Sequence, residues 1–197
     1  MKNLLKNPRN LTFLGVMFGL SVVLLYATMI PGFGASIAVV MFLPTILTGI
    51  IKGPKAGWLM GTAVGIVIMI RAMTMPMSLL DPLFINPLVS VVPRMFIGLV
   101  AYWVYTLIAR QSKNTGRIAV AGAVAGACAM ITNTILVMGS LYIFYADKIA
   151  ELMGVGFKVL LIGILTSSAI IEAVTAAILT SAIITIYKKT NRGRSVS

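Results

Sequence analysis

Six apolar stretches, at residues 11–30, 35–51, 57–71, 88–109, 118–145 and 159–187, alternate with short segments that hold nearly all of the charge. A bilayer core about 30 Å thick is crossed by roughly 20 apolar residues in a helix. Each stretch therefore predicts a transmembrane helix. The third is short for that task, and the fifth and sixth are long enough to tilt or protrude. Small residues recur at every fourth position within them: Gly15 and Gly19; Gly57, Gly61 and Gly65; Gly122 and Gly126; Ala169, Ala173, Ala177 and Ser181. Such ladders let helix backbones approach closely. Six helices cannot bury every ladder internally, which leaves at least one to face another subunit. The pattern predicts an all-α integral membrane protein, a compact bundle of six transmembrane helices forming one domain over 1–197.

Composition agrees: 59% of the 197 residues are hydrophobic, 10% are charged, and the mean hydropathy is +1.04. A soluble domain of this length cannot hide that much apolar surface. The net charge of +12 would suit a nucleic-acid binder, but its distribution points elsewhere. Lys2, Lys6 and Arg9 precede the first stretch, and Lys52 and Lys55 lie between the second and third. Arg110, Lys113 and Arg117 separate the fourth from the fifth, and Lys188, Lys189, Arg192 and Arg194 follow the sixth. These are alternate links, so the bias predicts both termini in the cytoplasm. Lipid headgroups are sufficient partners for this charge. The first stretch has no small-x-small cleavage site and reads as a retained helix, not a removed signal.

The two sets of links differ. Lys52–Ala56 and Gln111–Gly116 are short turns on the cytoplasmic side. The outward links are irregular: Ile30–Ala35 is rich in Pro and Gly, Arg71–Pro87 is long with Met73, Met75 and Met77 alternating, and Tyr145–Phe157 carries both signs of charge. Irregular backbone at membrane depth survives where protein covers it or where it lines a cavity. Outer loops of this kind suit binding sites and lids.

The richest segment is Asp81–Arg94, DPLFINPLVSVVPR, with three prolines at the mouth of the fourth stretch and an arginine just inside it. A charge within a lipid-embedded helix costs roughly 2.5–3.5 kcal/mol on insertion scales. Arg94 is either a structural partner or a fixed cation for a carboxylate or phosphate, which a guanidinium grips bidentately. Gly98 and Tyr102 follow it on one helix face, offering room and a hydroxyl. Glu172, mid-way along the sixth stretch with Ser168 and Thr175 beside it, either pairs with Arg94 or accepts hydrogen bonds from a ligand. Asn133 interrupts the fifth stretch with a group that both donates and accepts. Asn86, Asp81, Arg71 and Tyr26 are rim candidates. With no histidine and one cysteine, Cys128, a Cys/His metal site, a Ser/His triad and a disulfide are excluded. No phosphate loop of the G-x-x-x-x-G-K-[ST] type and no carboxylate pair for two-metal work is present. Neither catalysis nor a cofactor is expected.

Six spans with inward termini, irregular outer loops, the Gly15/Gly19 pair and one arginine at the mouth of the fourth span resemble an S-component. These are the substrate-binding membrane subunits of energy-coupling factor (ECF) vitamin transporters. The segment DPLFINPLVSVVPRMFIGL is similar to the pantothenate-specific branch. The resemblance implies a prokaryotic plasma-membrane subunit that captures a vitamin from outside under the loops after spans one and three and between spans five and six. It implies docking on a membrane coupling subunit and two cytoplasmic ATPases, with toppling of the loaded subunit releasing the vitamin inward. The first-helix pair that contacts the coupling subunit in the family is often alanine; here Gly15 and Gly19 stand there. Pantothenate has one carboxylate, two hydroxyls and an amide, which Arg94, Asn133 and Glu172 would satisfy. Riboflavin, folate or thiamine would call for an aromatic cage. A six-span structural protein with Arg94 and Glu172 as an internal pair is the alternative from another class.

Overall fold

The computed structural model describes residues 7–28, 38–76, 80–110, 114–153, 163 and 169–193, and all regular structure among them is helical. The elements are α1 (Pro8–Ala27), α2 (Ala38–Lys52), α3 (Pro54–Thr74), a 3-10 turn (Asp81–Ile85), the short α4 (Pro87–Ser90), α5 (Val92–Ala109), α6 (Thr115–Met153) and α7 (Ile170–Gly193). Five helices are long and apolar enough to cross a membrane: α1, α3, the α4–α5 unit, α6 and α7. The stretch Val39–Lys52 in α2 is apolar but shorter.

Several boundaries move from their expected places. The third span, expected over 57–71, is a helix of 21 residues. Pro54 needs no hydrogen-bond acceptor for an N–H at a helix start, and Gly53 takes φ 95°, so the link is a single-residue turn. The segment expected as a long loop from Arg71 is helical to Thr74 and resumes as the 3-10 turn at Asp81. The fifth span runs on past its expected end, and its one non-helical residue is Tyr145, at φ −143° and ψ 17°. The sixth continues to Gly193. Its expected first turns, with Ser168 and most of 159–168, fall outside the described residues, as do the Ile30–Ala35 turn and Met77.

Helix α6 packs between α5 and α7, α3 lies against α5, and α2 touches α3, α5 and α7. Helix α1 packs against α2 and α3 by one face, burying Ser21 and Leu25. The main core gathers Val39, Phe42, Ile46, Met60, Val64, Ile97, Met130 and Ile184. Lipid tails are as apolar as these side chains, so close contact and not water exclusion holds the bundle together. Glycine makes the contact possible. At the crossing of α2, α3 and α5 a Cβ on Gly57 would lie 2.8 Å from the Gly49 Cα and 2.9 Å from the Gly98 carbonyl carbon. Real Cβ atoms do not approach that near, so all three backbones meet at one point.

A second, smaller cluster sits at one end. Leu83 and Val89 from the turn and α4 pack on Val137, Leu141 and Ile149 of α6, with Leu80, Phe84, Met138 and Tyr145 at its edge. It forms a cap beside the start of α5.

Candidate substrate-binding site

Arg94 enters α5 one residue after Pro93 and is 6% exposed. Its backbone is pinned by α3, because the Arg94 carbonyl fills the space where a Gly61 side chain would be. Its side chain turns back toward the cap. Nη1 donates to the Val89 carbonyl at 2.5 Å, and the guanidinium carbon lies 5.4 Å from the Phe84 ring centre and 6.0 Å from that of Phe42. A charge-assisted hydrogen bond contributes about 1.5–3 kcal/mol, comparable to the insertion cost. That bond leaves Arg94 Nε buried without a partner.

Polar contacts hold the cap over this arginine. The Ser90 hydroxyl donates to the Phe84 carbonyl. Asn86 uses both ends of its amide: Oδ1 accepts from the Leu88 N–H at 3.0 Å, capping α4, and Nδ2 donates to the Tyr145 hydroxyl at 3.3 Å. Arg71, in the last turn of α3, pairs with Asp81 at 2.5 Å and ties the 3-10 turn down. Arg71 and Asn86 thus brace the segment that carries Phe84 and Val89.

The α6–α7 register brings the other candidates within about one helical turn of each other. A Cβ on Gly122 would lie 3.1 Å from the Ser181 Cα, and one on Gly126 would lie 2.6 Å from the Ala176 carbonyl oxygen. Each four-residue step up α6 matches a four-residue step back along α7, so Asn133 stands near the level of Ala169, about one turn from Glu172 in the first turn of α7. A groove of about 320 Å³ lined by Ile131, Thr134 and Ile135 against Ala169, Ile170, Ala173 and Val174 follows the same register. Asn133 is 6% exposed and its Oδ1 has no partner. Glu172 is half-buried and within electrostatic range of Arg94. The two do not form a salt bridge; among the described residues the one ion pair within 4 Å is Arg71–Asp81.

The family model for the ECF transporter, substrate-specific component, matches residues 9–184. The chain belongs to that family. It is also 28% identical over 158 residues, 73% of this chain and 74% of the relative, to the pantothenic acid transporter PanT of Lactococcus lactis subsp. cremoris (strain MG1363). Arg94 Nε and Asn133 Oδ1 are both buried without a partner, and unmet buried groups of this kind call for an explanation.

Not every candidate converges there. Tyr102 is eight residues beyond Arg94, about 12 Å along the helix. Gly98 lies between them, and the room expected at this glycine is filled by the Gly57 backbone, 2.5 Å from where its Cβ would be. Tyr102 stacks edge-on with Trp103 at 5.5 Å on the far side of that crossing. Gly15 and Gly19 meet nothing within 4 Å, so their face of α1 is open. Tyr26 is exposed, as are Met73 and Met75. Among the described residues no three of His, Cys, Asp and Glu cluster to hold a metal. Two residues around the guanidinium stand outside the sequence candidates. Phe84 lies within the proline-rich segment, a signal that was available, whereas Phe42 sits in an unbroken apolar run and gives none.

Proposed function

We propose that this substrate-specific component captures pantothenate from outside the cell and delivers it through an ECF module. The carrying observation is the buried Arg94, held by one carbonyl and two aromatic faces but left with a free Nε and no salt bridge to Glu172. An arginine placed to neutralise Glu172 would spend its donors on that carboxylate. This one keeps a donor for a ligand anion. Arg94 binds the carboxylate, and Asn133 and Glu172 take the amide and hydroxyls. Asn86 and Arg71 serve the site by holding the cap, and Tyr102 remains a more distant member of the same helix face. The relative that carries pantothenic acid in its name supports this cargo over riboflavin, folate or thiamine.

The basic links support six spans with both termini in the cytoplasm of a prokaryotic cell. The open Gly15/Gly19 face of α1 then supplies close approach to the coupling subunit, which joins two cytoplasmic ATPases; the chain itself contributes no nucleotide site. Toppling of the loaded subunit releases the vitamin inward. Calorimetry of the four vitamins with detergent-purified protein tests this reading. Pantothenate binds, and Arg94→Ala weakens it by about 10- to 150-fold, the equivalent of one charged hydrogen bond at about 1.5–3 kcal/mol, while the variant still purifies as a folded monomer. Loss of folding in Arg94→Ala, with no vitamin bound by the wild type, would instead identify a structural charge.

A further inference from the structure

Phe42, Thr45 and Gly49 share one stripe of α2, at i, i+3 and i+7. Both ends of that stripe touch α5. The Phe42 ring centre lies 6.0 Å from the Arg94 guanidinium carbon, and Gly49 abuts the Gly98 carbonyl. The two helices therefore run in the same sense here, and Thr45 falls on α2 between the level of Arg94 and that of Gly98. Thr45 is 1% exposed, and its hydroxyl has no hydrogen-bond partner. Threonines in helices ordinarily bond back to the carbonyl one turn earlier. Thr62, Thr106 and Thr132 do so, to Trp58, Tyr102 and Cys128 at 2.8, 2.9 and 2.8 Å, whereas Thr45, like Thr48, Thr180 and Thr185, does not. Of these four, Thr45 is the one on the stripe that joins Phe42 to Gly49. Pro44, just before Thr45, interrupts the hydrogen-bond ladder of α2 at this turn.

We propose that Thr45 is a specificity-determining residue of the Arg94 site, its hydroxyl and Arg94 Nε together binding the carboxylate of the captured acid. This rests on the reading of an acid bound at Arg94. A carboxylate has lone pairs for both donors, and each donor gains a strong, charge-assisted bond. A neutral ligand of the same shape leaves the guanidinium without its anion, and such unmet groups are what gives a polar site its discrimination.

The test is calorimetry on full-length protein in detergent, with pantothenate and with its alcohol analogue, in which the carboxylate is replaced by CH2OH. Thr45→Val should weaken pantothenate about tenfold, about 1.4 kcal/mol, and shift the alcohol by less than about twofold. Thr45→Ser, which keeps the hydroxyl, should stay within about threefold of wild type. Thr48→Val removes an equally buried hydroxyl one turn further along and should change neither ligand by more than about twofold. Should valine not be tolerated, Thr45→Ala gives the same comparison. Unchanged pantothenate binding in the Thr45 variants, equal weakening of both ligands, or an equal loss in Thr48→Val would overturn the assignment while leaving the capture reading intact. A folded wild type that binds no acid would overturn both.

Discussion

Helices α1 and α3 both carry glycines four residues apart, Gly15 and Gly19 in one and Gly57, Gly61 and Gly65 in the other. In α3 every one of them is filled by a neighbouring backbone: Gly57 by Gly49 and Gly98, Gly61 by Arg94, and Gly65 by Val91, whose Cα lies 2.8 Å from where its Cβ would be. In α1 neither glycine has a neighbour within 4 Å. One ladder is consumed in folding and fixes the depth of Arg94. The other is left on the surface of a helix that buries little else. The same spacing therefore means internal packing in one helix and an available face in the other. In lipid, where apolar surface alone does not drive helices together, an unfilled ladder is a place where a second protein can come close.

The contrast is broken most severely by adding bulk to the filled ladder. Gly61→Leu collides with the Arg94 carbonyl and has no flexible side chain to push aside. It should cost about 3 kcal/mol or more, the upper end of overpacking, and prevent recovery of a monodisperse species by size-exclusion chromatography. A normal elution profile and thermal midpoint would mean that α3 and α5 are not in contact as described. The next largest effect is on function. Gly15→Leu and Gly19→Leu should leave the thermal midpoint unchanged or raise it, since leucine favours a helix over glycine by roughly 0.5–1 kcal/mol. Vitamin binding should persist, whereas uptake by cells supplying the coupling module should fall about tenfold or more, the equivalent of about 1.4 kcal/mol at a tight interface. Uptake at the wild-type rate in both variants would remove α1 as the docking face. The smallest effect belongs to the cap. Tyr145→Phe deletes one neutral hydrogen bond to Asn86, so stability should drop by about 0.5–1.5 kcal/mol. Vitamin dissociation, followed by stopped-flow fluorescence, should quicken by about tenfold at most. An unchanged off-rate would separate the cap from the bound state.

Much of the candidate site was legible because charges in apolar spans are costly and stand out. Arg94 and Glu172 are visible in the sequence for that reason, and Asn133 follows from the polar interruption of an apolar run. Arg71 and Asn86 were recognisable as rim residues, but their work was not. Asp81 is ten residues from Arg71 and Tyr145 is 59 from Asn86, so sequence neighbourhood does not reveal either pairing. Gly98 shows the opposite failure: a small residue near a functional one reads as open space, and the space belongs to Gly57. Phe42 and Thr45 were hidden by their setting, since an aromatic or a threonine in a transmembrane stretch is ordinary until its neighbours are known.

The sequence by itself determined the solvent of this chain, its helical class and the few polar groups able to recognise a ligand. These follow from local quantities: the hydropathy and length of each stretch, the turn chemistry of Gly53–Pro54, and the cost of burying a charge. Tertiary structure decided which glycines are contacts, which cation is already spent on a carboxylate, and which is still free. Arg71 is paired with Asp81, while Arg94 forms no ion pair with a described residue, although the Nε of each is buried without a partner. The reason is geometric. Helix register sets the depth of each side chain, and that register is established where α2, α3 and α5 touch backbone to backbone, at positions far apart along the chain.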